Sequence, residues 1–146
     1  VCPVVAPIKN SGGRIDGIVD LIRRKAFKAE NGKRVEIPVP ESMAEELQTY
    51  YLNINESVAE SSEELMDKYF SGEEFTVEEI IEGLRSGVQD GSLVPVFGGS
   101  AALNLGTLPL LDTLIDLFPS PLNRKEKTES GETVDVDPNA PACAFV

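Results

Sequence analysis

The longest periodic segment, residues 40–70, constrains the fold more than any other feature of this sequence. Apolar residues recur there at intervals of three, four and seven, which is the spacing of one face of an α-helix. These residues are Met43, Leu47, Tyr50, Tyr51, Ile54, Val58, Leu65 and Tyr69. The pattern predicts one long amphipathic helix or two consecutive ones, with an apolar face that must be buried.

A second helix follows this segment. Gly72 is suited to cap the end of the first helix, and Thr76 to Glu79 have the capping-box pattern that begins another. We expect this second helix to end near Asp90-Gly91, where the apolar periodicity stops.

The N-terminal 40 residues have the alternation and turn residues of strands. Val1 to Ile8 and Arg14 to Asp20 predict a hairpin, while Leu21 to Lys28 fits either a helical turn or a strand, with strand preferred. Asn31-Gly32 is a strong turn signal, and the short extended segment Arg34 to Pro38 follows it.

Two apolar segments follow the second helix. Leu93 to Phe97 predicts a strand that is covered on both faces, and Thr107 to Phe118 predicts a helix packed on most of its circumference. Residues 122–146 are polar and rich in turn formers, as in a linker. The fold class predicted is therefore α/β, a small mixed β-sheet packed with two to three helices.

Composition limits the partners. The 146 residues carry a formal net charge of −12, so a groove for nucleic-acid phosphates would oppose the net field, and a basic protein is the expected partner. No run reaches the about 18–20 apolar residues that cross a bilayer, so we expect no membrane contact and a cytoplasmic protein. Cys2 and Cys143 lack the spacing of a zinc or redox site and are interpreted as free thiols.

The sequence lacks the residues of common catalytic sites. There is no histidine, which excludes Ser-His-Asp, Cys-His and His-based zinc chemistry. No phosphate-binding loop of the form GxxxxGK[ST] is present, and Gly98-Gly99-Ser100 alone is more typical of a turn after a strand. A small enzyme that uses a pair of carboxylates stays open as an alternative. We predict no catalytic residue and no metal site.

Three stretches in order resemble one region of elongation factor G, a translational GTPase. The first is Asp16 to Ala26, and the second and most specific is Glu56 to Tyr69 with Gly72-Glu73-Glu74. The third begins at Val96 to Ala101 and continues through Gly106 to Ile115–Pro121. Together they span about residues 3–121, so we expect the chain to be a piece of a larger protein.

The resemblance implies a domain division and a nucleotide site. Residues 1–92 would be the insert called the G-prime subdomain, 93–121 the last strand and helix of a P-loop GTPase domain, and 122–146 a linker with the start of the next domain. Ser100 and Ala101 would form the guanine edge of a nucleotide site, whereas residues 102–105 depart from the family's usual Phe-Lys-Asn-Lys. GTP and Mg²⁺ would bind the longer protein, and we expect no cofactor in this chain alone.

Carboxylates opposite the apolar face of the long helix are the predicted binding surface. On a single helical wheel, Glu56, Glu60, Glu63 and Asp67 form a stripe. Taken alone, such a stripe is more often a solvated face. The resemblance implies that Glu56, Glu60 and Glu63 contact the C-terminal domain of the ribosomal stalk protein.

The function predicted is that of a non-catalytic module of a GTPase that promotes ribosomal translocation, bound to the ribosome through its stalk. One alternative is a ribosome-protection or recycling paralogue. Another is a purely structural insert, which would be favoured if the stripe were buried or paired with Arg23, Arg24 or Lys25. The apolar helix Thr107 to Phe118 could also make the chain dimerise.

Overall fold

The computed structural model describes residues 1–30, 33–120, 122, 125–127, 130–135 and 137. The strands are β1 (Cys2–Pro3), β2 (Val5–Lys9), β3 (Ile15–Asp20), β4 (Lys25–Glu30), β5 (Lys33–Ile37), β6 (Pro95–Val96), β7 (Lys125–Lys127) and β8 (Thr133–Asp135). The helices are α1 (Ala44–Ala59), α2 (Glu63–Ser71), α3 (Val77–Asp90) and α4 (Thr107–Leu117), with a 3₁₀ turn at Glu41–Met43 before α1. The predicted α/β class is confirmed. The predicted turn Asn31-Gly32 and Cys143 lie outside the described residues.

Strands β2 to β5 form an antiparallel sheet in sequence order. The predicted hairpin is confirmed as β2 and β3, with Val5 opposite Asp20. Gly17 permits the close approach of β4, since a Cβ on it would lie 2.9 Å from the carbonyl oxygen of Phe27.

The predicted strand over residues 21–28 begins later than expected. The Asp20 carboxylate accepts hydrogen bonds from the backbone N–H groups of Ile22 and Arg23, at 3.0 and 2.9 Å. This closes a turn over residues 21–24, as Asp side chains commonly do, and β4 starts only at Lys25.

The two faces of this sheet pack against different parts of the chain. Ala6, Val19 and Ala26 belong to the main core, which the sheet shares with the helices. Because side chains alternate along a strand, Ile18 and Phe27 point to the opposite face, where they form a smaller cluster with Leu105.

Strand β6 pairs only with β1 in the described part of the chain, in parallel, with Cys2 opposite Pro95. The expected single mixed sheet is therefore divided into an antiparallel and a parallel one. Val94 and Val96 are 57% and 45% exposed, so the prediction of a strand covered on both faces is wrong. Because β6 has one neighbouring strand, its other edge is not paired in the described part of the chain.

The long periodic segment forms two helices, the second of the two forms predicted. Ser62 is extended, with φ −158°, and its hydroxyl accepts a hydrogen bond from the N–H of Leu65, which caps the start of α2. Gly72 ends α2 in the left-handed conformation, with φ 78°. The predicted capping box at Thr76 and Glu79 is confirmed, and α3 ends at Asp90, before Gly91.

The main core lies between α1, α3 and the sheet. Ile54 and Val58 of α1 and Leu84 of α3 are fully buried in it. Gly83 lets the two helices approach closely, since a Cβ there would lie 2.9 Å from Cγ1 of Val58. Leu93 and Leu117 also belong to this core, while the predicted domain boundaries stay a prediction.

Helix α4 has the predicted extent but not the predicted packing. Its inward side presents Pro109, Thr113 and Leu117. Six large apolar residues in and next to it are 37% to 77% exposed: Leu108, Leu110, Leu111, Leu114, Ile115 and Phe118. The expectation of packing on most of its circumference is therefore wrong, and dimerisation stays a prediction.

In the C-terminal segment, the described residues include the short antiparallel pair β7 and β8. A membrane-crossing helix is not found in the described ranges, where every helix is too short or too polar.

Two residues on α1 test the importance of the core. Replacing Ile54, 1% exposed, with alanine should lower the free energy of unfolding by about 2–5 kcal/mol, because it removes buried methyl groups and leaves a cavity. Replacing Leu52, which is 45% exposed on the same helix, with alanine should lower the free energy of unfolding by less than about 1 kcal/mol. Urea denaturation followed by circular dichroism measures both, and equal losses would contradict this packing.

Candidate functional site

The four predicted partner-binding residues, here called the acidic surface, are Glu56, Glu60, Glu63 and Asp67. All four are exposed. Glu56 and Glu60 lie one turn apart at the end of α1, where the N–H of Glu60 donates to the carbonyl oxygen of Glu56 at 3.1 Å. Glu63 and Asp67 lie one turn apart on α2. The helix is interrupted between Glu60 and Glu63, so a single helical wheel does not describe the arrangement of all four residues.

The acidic surface points outward because the inner faces of both helices are occupied. Ile54 and Val58 of α1 are buried in the core, and Leu65 and Tyr69 of α2 pack against it. On an amphipathic helix this leaves only the opposite side for charged residues.

The bases that could neutralise the acidic surface are engaged elsewhere. Arg23 forms ion pairs with Asp20 and Asp116. The guanidinium of Arg24 lies 4.8 Å from the ring centre of Tyr51, and Nζ of Lys25 lies 3.3 Å from a carboxylate oxygen of Glu36. Within the described ranges, none of the four carboxylates of the acidic surface has an ion-pair partner.

The charges of the chain are strongly segregated. Residues 41–92 contain 14 of the 25 acidic residues and only two bases, Lys68 and Arg85, whereas residues 1–40 contain eight of the 13 bases and four acids. The helical part is therefore negative and the four-stranded sheet positive. The acidic surface lies within the negative part.

An ion pair joins α2 to α3, and stacked rings join α2 to the segment that precedes α3. Nζ of Lys68 lies 2.7 Å from a carboxylate oxygen of Glu79, and the rings of Tyr69 and Phe75 stack with centres 6.4 Å apart. Lys68, followed by the backbone N–H of Thr76, lowers the pKa of the Glu79 carboxyl below its ordinary value of 4.5. These contacts help to fix the position of Glu63 and Asp67 on α2.

The predicted guanine edge lies on the other side of the sheet. Ser100 and Leu105 exchange two backbone hydrogen bonds of 2.9 Å, and Leu105, 3% exposed, packs on Ile18 and Phe27. Leu105 therefore has a structural role, at a position where the resemblance implies lysine. Ala101 is exposed, and its N–H donates no hydrogen bond to the described part of the chain. A backbone donor that binds a ligand must be free in this way. The structure does not bring this edge together with the acidic surface, whose helices pack on the opposite face.

The described residues give no support to a carboxylate-pair enzyme. Asp20 is the one charged residue buried among them. Its carboxylate accepts hydrogen bonds from the backbone N–H of Ile22 and from the guanidinium of Arg23. No group of three or more possible metal ligands is found among the same residues.

Comparisons with known proteins relate the chain to one family, although none of the protein-family models matches it. Elongation factor G of Neorickettsia sennetsu (strain ATCC VR-367 / Miyayama) is 38% identical over 134 residues, covering 86% of this chain and 19% of that protein. A crystal structure of a protein from Thermus thermophilus has a TM-score of 0.73 and 34% identity, covering 83% of this chain and 18% of the other. The predicted resemblance to elongation factor G is confirmed. The chain spans less than a fifth of the length of the elongation factor G that it matches.

This chain, related to elongation factor G, carries one exposed residue beside the acidic surface that was not predicted from the sequence. Phe70 of α2 is 78% exposed. It follows Glu63 by seven residues and Asp67 by three, so the three side chains share one face of α2. On a helical wheel the aromatic ring falls beside Glu63 and Asp67, so the spacing alone places it next to the acidic surface.

The Lys68–Glu79 contact predicts a pH dependence of stability. The pKa of Glu79 is lower in the folded chain than in the unfolded chain. The contribution of Glu79 to stability is therefore present at pH values above its unfolded pKa and is lost as the pH falls through its folded pKa. Glu79→Gln should therefore be less stable than the wild type near pH 7, and this difference should shrink below about pH 4.5. Urea midpoints from pH 3 to 7 test this, and a constant difference would contradict it.

Proposed function

We propose that this chain is a non-catalytic, partner-binding module of a longer translational GTPase similar to elongation factor G. In that protein, the acidic surface would bind the C-terminal domain of the ribosomal stalk protein. Translation is supported by the relationship to elongation factor G, while the stalk contact and the role in translocation are parts of the proposal.

The observation that carries the proposal is the exposed, unpaired state of the acidic surface. Four carboxylates project from two consecutive helices, within a region of 52 residues that holds only two bases. Such a surface attracts a basic partner at long range and raises the rate of association more than the affinity. Binding through it should weaken as salt screens the charges.

The alternative of a structural insert without a partner requires a buried or neutralised stripe. The described structure does not meet that condition, because the carboxylates are exposed and Arg23, Arg24 and Lys25 have other partners. A ribosome-protection or recycling paralogue would use the same module. In that alternative the longer protein has another function, whereas the acidic surface has the same one.

Nucleotide binding belongs to the longer protein in this proposal. Ser100 and Ala101 offer one backbone edge, and a single hydrogen bond from it contributes about 0.5–1.5 kcal/mol, which is too little to hold GTP. The phosphate-binding loop and the Mg²⁺ ligands would come from the rest of the GTPase, so the hydrolysis of GTP is not expected of this chain alone.

A charge reversal on the acidic surface tests the stalk contact. Labelled stalk C-terminal domain titrated with the 146-residue chain at low salt should show saturable binding. Glu60→Lys should weaken it about 5- to 10-fold, equal to about 1–1.4 kcal/mol, because it places a positive charge opposite the basic partner.

The matched control is Glu30→Lys, the same charge change on an exposed residue at the end of β4 in the sheet. It should change the affinity less than about twofold, since it lies outside the acidic surface. Equal effects of the two variants, or no binding by the wild type at low salt, would contradict the proposal.

A further inference from the structure

Phe70 is an unusual feature of the negative part of the chain. Its side chain is 78% exposed, the highest value for an aromatic residue among those described as exposed. It lies on the same face of α2 as Glu63 and Asp67. An exposed aromatic ring therefore lies among carboxylates.

The ring of Phe70 is held in place by its neighbours. It meets the ring of Tyr69 edge to face, with centres 6.0 Å apart and planes at 63°. Tyr69 in turn stacks on Phe75, which is 8% exposed and belongs to the main core. A ring fixed in this way loses little conformational freedom when a partner covers it.

The nearest base does not neutralise this part of the surface. Lys68 precedes Phe70 by two residues and so points to another side of α2, where it binds Glu79. Charge complementarity therefore favours a partner whose positive groups surround an apolar recess.

We propose that Phe70 is the apolar anchor of the surface formed by Glu56, Glu60, Glu63 and Asp67. The partner is a protein surface with a shallow apolar pocket bordered by lysine or arginine side chains. This inference rests on the proposed stalk contact and adds the residue from which most of the affinity comes. Exposed charges guide the encounter, whereas a buried aromatic residue at the centre of an interface commonly dominates its binding energy.

The two contributions differ in their response to salt, and this makes the proposal testable. The 146-residue chain and its Phe70→Ala variant are titrated with the stalk C-terminal domain at about 50 mM and about 300 mM salt. Phe70→Ala should weaken binding about tenfold or more at both salt concentrations. The ratio of its dissociation constant at high salt to that at low salt should therefore equal the wild-type ratio. Glu60→Lys should instead change that ratio.

Two further variants separate the anchor from a general apolar effect. Phe70→Leu keeps an apolar side chain and should retain more affinity than Phe70→Ala. Leu52→Ala removes an exposed apolar residue of α1, outside the acidic surface, and should leave the affinity unchanged. Circular dichroism should show the wild-type fold for all variants, since both positions are exposed.

The outcomes distinguish this inference from the proposed function. Wild-type binding that Phe70→Ala leaves unchanged overturns the anchor, while the acidic surface keeps its proposed role. The same holds if Leu52→Ala weakens binding as much as Phe70→Ala does. No binding by the wild type at low salt overturns both proposals.

Discussion

The close packing of α1 on α3 is the interaction on which the rest of this structure depends. Ile54, Val58 and Leu84 are fully buried there, and Gly83 removes the side chain that would keep the helices apart. Because these apolar residues occupy the inward faces of α1 and α3, the carboxylates of these two helices lie on the outer faces. The negative surface is thus a consequence of how the core is filled.

The four-stranded sheet separates two chemically different sides of the molecule. One face shares the main core with the acidic helices, and the other packs through Ile18 and Phe27 on Leu105, next to Ser100 and Ala101. The proposed partner-binding surface and the predicted guanine edge therefore lie on opposite faces of one sheet. In the proposed longer protein, a stalk domain could bind the helices without covering the nucleotide side.

Local patterns in the sequence predicted most elements, whereas the errors arose where apolar periodicity does not decide the structure. The capping box at Thr76 and the glycine after α2 are short-range features and were predicted correctly. The turn closed by Asp20 and the exposure of Val96 depend on hydrogen bonds and on the number of strands next to β6, which periodicity does not encode. Phe70 falls beside Glu63 and Asp67 on any helical wheel, but its 78% exposure depends on tertiary packing, which an apolar residue in the sequence does not reveal.

The location of the partner on the chain is the central claim, and NMR mapping tests it most directly. Amide signals of the ¹⁵N-labelled chain are followed while unlabelled stalk C-terminal domain is added at low salt. We predict that the largest shifts cluster at the end of α1 and along α2, from Glu56 to Phe70, and that added salt reverses them. Shifts centred on the sheet or on α4, or no shifts at all, would contradict it.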